Sequence, residues 1–100
     1  MYAAVRRYSG LDRSLVEALA NKASAIRSAL SGTPGSRGCD VISTREGLIV
    51  VAFGDDEGCV VEMGRRYVAW LDGNLPGLRG VAPDVWAGEV LVHGLEPQPA

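Results

Sequence analysis

Apolar and polar positions alternate from Tyr2 to Tyr8, with Tyr2, Ala4, Arg6 and Tyr8 on one side and Ala3, Val5 and Arg7 on the other. This is the period of a strand. Ser9-Gly10 breaks the pattern, and Asp12 stands where it can cap a helix. Leu11 and Val16 are spaced as a hydrophobic staple, and Ser14-x-x-Glu17 offers a second capping box. Leu15, Leu19, Ala23, Ile26 and Leu30 then recur at three- and four-residue steps, which predicts one helix stopped by Gly32 and Pro34.

Arg37 to Ser43 alternates weakly, with Cys39 and Val41 on one face, and Leu48 to Phe53 is continuously apolar. Only Thr44-Arg45-Glu46-Gly47 separates the two runs, so they read as a hairpin. Asp55-Asp56-Glu57 places acids where a helix N-terminus favours them, and Val60, Met63, Tyr67 and Trp70 with Leu71 carry a helical stripe that ends near Asp72-Gly73. Leu75 to Pro83, punctuated by prolines and glycines, is a loop with room for one helical turn. Val85 to His93 returns to strand character. The domain therefore runs over residues 1–94, with a tail over 95–100. The order βαββαβ with right-handed crossovers predicts an α+β, ferredoxin-like fold, a four-stranded antiparallel sheet with two helices on one face.

Two helices cover one face of such a sheet, so strands of a monomer should be apolar on one side only. The third strand carries Leu48, Val50 and Ala52 on one side and Ile49, Val51 and Phe53 on the other. The last strand is also apolar on both sides, Val85, Ala87 and Leu91 against Trp86, Val90 and Val92. Leaving about five such side chains wet would forgo on the order of 10 kcal/mol, comparable to the whole stability of a small domain. The expectation is a homodimer through the helix-free sheet face, because a two-fold interface needs only one self-complementary surface.

Composition narrows the classes. One hundred residues, 47% of them hydrophobic, support a single core. A net charge of -2 from 10 basic and 12 acidic residues lacks the electrostatic footprint of a nucleic-acid binder. The first residues lack the apolar run of a signal peptide, and no stretch approaches the ~18 uncharged apolar residues of a membrane helix. The expected location is the cytoplasm, with neither a membrane nor a nucleic acid as partner. Cys39 and Cys59 have no second pair, and His93 is the single histidine, so the sequence assembles no zinc site and no CxxC redox motif. No metal and no cofactor is expected.

The opening Met1 to Tyr8, the segment Tyr67-Val68-Ala69-Trp70-Leu71 and the closing Ala87 to His93, in this strand and helix order, resemble the antibiotic biosynthesis monooxygenase-like family of dimeric α/β barrels. The likeness runs from residue 1 to about residue 93. It implies two sheets packed face to face and, in each protomer, a pocket between helices and sheet. That family includes cofactor-independent monooxygenases of polycyclic aromatic substrates, haem-degrading enzymes and members with no known reaction. The haem-degrading branch has an asparagine on the first strand, where Arg6 and Arg7 stand here. It also has an axial histidine shortly after the second helix, where Asp72 to Pro83 holds none, so haem degradation is not expected.

Four residues are the pocket candidates: Arg6, Tyr8, Tyr67 and Trp70. Each has a competing structural role. Trp70 and Tyr67 sit on a helix stripe and fit a core as well as a pocket. Arg6 and Arg7 point to opposite faces of a central strand, so at least one needs an acid, such as Glu62, Glu89 or a residue of the partner subunit, or else a ligand anion. No catalytic residue is assigned. Glu89 and His93 lie some 13 Å apart on an unbulged strand, too far for a dyad, and Arg65-Arg66 reads as a solvated face. An RNA-recognition domain would need aromatic residues on its third strand, and Leu48 to Val51 is aliphatic. The two readings carried forward are a protein that binds a small apolar or aromatic ligand between helices and sheet, and a cofactor-independent monooxygenase of an aromatic or quinol-type substrate.

Overall fold

A computed structural model describes residues 1–92. The chain runs β1 (Tyr2–Ser9), α1 (Arg13–Asn21), α2 (Ala23–Ser31), β2 (Ser36–Ser43), β3 (Gly47–Gly54), α3 (Glu57–Asn74), α4 (Pro76–Arg79) and β4 (Asp84–Glu89). The strands form one antiparallel sheet in the order β2-β3-β1-β4, the ferredoxin-like arrangement expected from the sequence.

Local signals set the element ends. The Asp12 carboxylate accepts from the backbone N–H of Ser14 at the start of α1, and that bond lowers its pKa. Asp56 caps α3 by accepting from the N–H of Cys59 at 2.8 Å. Pro76 ends α3 and opens α4, which turns the expected loop partly helical. In the β2–β3 hairpin the Thr44 Oγ1 accepts from the Gly47 N–H. Gly47 itself is obligatory, since a Cβ there would collide with the carbonyl oxygen of Tyr8 on the neighbouring strand.

Two boundaries differ from the sequence reading. The expected single first helix is broken at Lys22, whose φ of -110° and ψ of 12° leave the helical region. Buried Val16 and Leu19 lie on one half and buried Ile26 and Leu30 on the other, so the break keeps a continuous apolar contact while the halves reorient. The Lys22 ammonium donates to the carbonyl of Asn74, a cation placed at the C-terminus of α3. The last strand ends at Glu89 rather than continuing through the apolar Val90 to Val92; only the Val90 N–H extends its pairing, to the carbonyl of Met1. His93 and the tail over 95–100 lie outside the described residues.

The core sits between sheet and helices. Tyr8 from β1 and Leu48, Val50 and Ala52 from β3 pack on residues of α1, α2 and α3 such as Leu19, Leu30, Met63 and Leu71. The opposite sheet face carries no helix. Register places Asp40, Val51, Val5 and Trp86 in one row across it and Ile42, Ile49, Arg7 and Asp84 in the next. Trp86 is 51% exposed and Ile42 46%, while Val5, Ile49, Val51 and Phe53 are half-buried. Both faces of the sheet are therefore apolar, as the sequence indicated.

Candidate functional site

β1 and α3 together make the site. Strand parity puts Ala4, Arg6 and Tyr8 on the helix side, and α3 crosses above them. Every residue of β4, the edge strand beside β1, is exposed, because α3 packs over β1 and β3 and leaves β4 uncovered. The result is a groove of about 530 Å³, with α3 as one wall, β4 as the other and β1 as the floor. Val60, Val61 and Val68 from α3 face Val85 and Ala87 from β4 across it, with Ala4 and Arg6 beneath. Glu57, Gly64, Arg65, Ala69 and Asp72 complete the lining.

Arg6, Tyr67 and Tyr8 form a contiguous stack beneath this groove. The Arg6 guanidinium stands over the Tyr67 ring, 5.5 Å from its centroid, a cation–π contact. The Tyr67 hydroxyl is hydrogen-bonded to that of Tyr8 at 3.0 Å, and both rings are buried. Burial pushes the Tyr8 phenol above its ordinary pKa, although its bond to Tyr67 and the nearby Arg6 charge pull the other way. Burial raises Tyr67 further, helped by its hydrogen bond to Tyr8 and opposed by Arg6. Both phenols are thereby held protonated and are poor proton acceptors at neutral pH.

The four candidate residues thus separate. Arg6 opens into the groove. Tyr67 lines a void of about 20 Å³ beside it, and Tyr8 lies deeper, in the core. Trp70 is not among the groove's lining residues. It is nine positions from Val61, two and a half turns at 3.6 residues per turn, so it projects from the opposite flank of α3. There it packs half-buried against the core, and its carbonyl accepts from the Asn74 side chain. Arg7 points to the open sheet face, pairs with Asp84 at 2.9 Å and stands over Trp86 at 5.2 Å. Its partner acid is therefore Asp84, not Glu62 or Glu89. Glu62 instead holds Arg65 and Arg66 on the solvated flank of α3.

The sequence reading missed most of the groove wall. Val61, Gly64 and Val68 form a second stripe on α3 at three- and four-residue steps, a signal present in the sequence but overshadowed by the stripe of Met63, Tyr67 and Leu71. Among the described residues, no group of three His, Cys, Asp or Glu side chains is placed to hold a metal ion. No helix among them is long and apolar enough to cross a membrane.

An antiparallel four-stranded sheet with helices on one face, a bare opposite face and a helix-side groove defines an α+β, ferredoxin-like protein. Solved structures share that fold at low sequence identity. One is a candidate antibiotic biosynthesis monooxygenase from Nitrosomonas europaea, with a TM-score of 0.72 at 12% identity over 92% of this chain and 100% of that one. A protein of unknown function from the same organism has a TM-score of 0.72 at 17% identity, covering 97% of this chain and 94% of that one. A candidate monooxygenase from Shewanella loihica has a TM-score of 0.61 at 14% identity, over 91% of this chain and 95% of that one. The ferredoxin-like fold of the protomer is thus the one implied by the resemblance seen in the sequence. No family model matches the chain, and no curated protein matches it.

Proposed function

We propose that this chain works as a homodimer joined through its bare sheet face, each protomer binding a small apolar or aromatic molecule in the groove between α3 and β4. The observation that carries the binding role is the groove itself, an aliphatic cleft of about 530 Å³ with a guanidinium at its floor. That size and lining suit a small organic molecule. Dimerisation supports the same site. β4 is an edge strand exposed on both faces, with Val85 and Ala87 in the groove and Trp86 on the other side. A partner packed on Trp86 would brace the strand that forms the groove's outer wall. The free thiols Cys39 and Cys59 fit a cytoplasmic, reducing setting.

A neutral naphthylamine dye that fluoresces in apolar surroundings tests the binding role. Saturable binding that is lost in Val85→Asp, with the fold retained by circular dichroism, supports it. Equal binding by the wild type and Val85→Asp contradicts it.

A second reading, cofactor-independent oxidation of an aromatic or quinol-type substrate, is favoured by Arg6 and by the monooxygenase names of two proteins of the same fold. The substrate would react with dioxygen as its own phenolate or enolate, and Arg6 would stabilise that anion. Tyr8 and Tyr67, kept protonated by burial, would not serve as the base. Oxygen uptake with an anthrone or quinol that disappears in a folded Arg6→Ala variant would favour this reading over simple binding.

A further inference from the structure

The charges around the groove point to the kind of molecule it takes. Arg6 lies on a central strand, half-buried, with its guanidinium over the Tyr67 ring. A cation–π contact occupies none of the guanidinium's N–H donors with an acceptor oxygen. Among the described residues no carboxylate pairs with it, whereas Arg7, Arg37, Arg65, Arg66 and Arg79 all have acidic partners. The two acids on the groove do not fill the role. Asp72 is bound to Arg79 at 3.0 Å, and Glu57 lies at the start of α3, seven residues or ~10 Å along the axis from Gly64, the position above Arg6.

Gly64 completes the arrangement. A Cβ there would sit 2.9 Å from Nη2 of Arg6, so any side chain would crowd the guanidinium and cover its path to the groove. The helix position facing the arginine is the one without a side chain, and a half-buried cation is left open toward an aliphatic cleft. A cation in such surroundings is best satisfied by an anion that arrives with its own apolar body.

We infer that the groove's ligand is an amphipathic monoanion, an apolar or aromatic body with one oxyanion head group that accepts from the Arg6 guanidinium. The inference rests on the groove-binding reading above and adds the charge of the ligand. The body lies between Val61 and Val68 on one wall and Val85 and Ala87 on the other.

Two dyes with the same ring system test it: anilinonaphthalene sulfonate, which carries one sulfonate, and phenylnaphthylamine, which carries none. The wild type should bind both, the sulfonate more tightly. Arg6→Met should weaken the sulfonate dye about tenfold and leave the neutral dye within about twofold, the loss expected for one charged hydrogen-bonding group. Gly64→Ala, which displaces the guanidinium without deleting it, should also weaken the sulfonate dye alone, and it serves if Arg6→Met fails to fold by circular dichroism. Arg7→Met removes the same charge from the other face of β1 and should change neither dye. Equal effects of Arg6→Met on both dyes, or a loss of sulfonate binding in Arg7→Met, would overturn the inference and leave the groove reading standing. Failure of the wild type to bind either dye would remove the groove reading and the inference together.

Discussion

The buried hydroxyl pair of Tyr8 and Tyr67 offers a quantitative check of the packing beneath the groove. Each phenol is the partner of the other at 3.0 Å, so Tyr67→Phe leaves the Tyr8 oxygen buried and unpaired, and Tyr8→Phe does the same to Tyr67. Stranding one such group costs about 1–3 kcal/mol. For a domain of this size each kcal/mol lowers the melting temperature by about 4–8 °C. The double substitution removes both hydroxyls and strands neither, so it should cost less than the two single changes added together, by about 2–6 kcal/mol, one stranding cost from each. The Arg6 contact survives in all three variants because phenylalanine keeps the ring. Urea unfolding followed by circular dichroism, at one protein concentration because the chain is proposed to dimerise, yields the four stabilities of the cycle. Additivity within about 0.5 kcal/mol would refute the claim that the two hydroxyls satisfy one another.

Other consequences follow from the same geometry. Tyr8 and Tyr67 have folded pKa values raised above the unfolded value of 10.0, so their contribution to stability is intact below that pH and is lost as pH rises beyond it. In a Tyr2→Phe background, phenolate absorbance should appear together with the loss of helical circular dichroism above pH 10; phenolate appearing while the helices persist would contradict this. Asp56→Ala removes the cap of α3 and should cost about 0.5–2 kcal/mol in urea unfolding, with Asp56→Asn much milder. Gly47→Ala drives a Cβ into the Tyr8 carbonyl, where backbone cannot yield cheaply, and should destabilise by roughly 1–3 kcal/mol, visible as a lower urea midpoint.

Much of this architecture is legible in the residues alone. Strand parity placed Arg6 and Tyr8 on one face and Arg7 on the other, and the two-sided greasiness of Leu48 to Phe53 is borne out by the register. The caps at Asp12 and Asp56 sit where acids precede apolar periodicity. What the pattern could not separate is the two stripes of α3. Met63, Tyr67 and Leu71 lie in the core, and Val61, Gly64 and Val68 line the groove, yet both stripes obey helical spacing. Which stripe meets the sheet depends on where the helix lies relative to β4, a tertiary fact. Trp70, a pocket candidate that fitted a core position as well, sits on the far flank for the same reason. The break at Lys22 was equally hidden, because Leu19 and Ile26 are seven residues apart and remain in phase for one straight helix.

The proposed pairing of two sheets would cover the bare face and brace the groove's outer wall, and sedimentation equilibrium tests it most directly. At micromolar concentration the protein should sediment at twice the 10.5 kDa protomer mass, and Val51→Asp, which puts a charge at the centre of the bare face, should shift it toward the single mass. A wild-type particle of 10.5 kDa that stays folded and unfolds cooperatively at the same concentration would contradict the account.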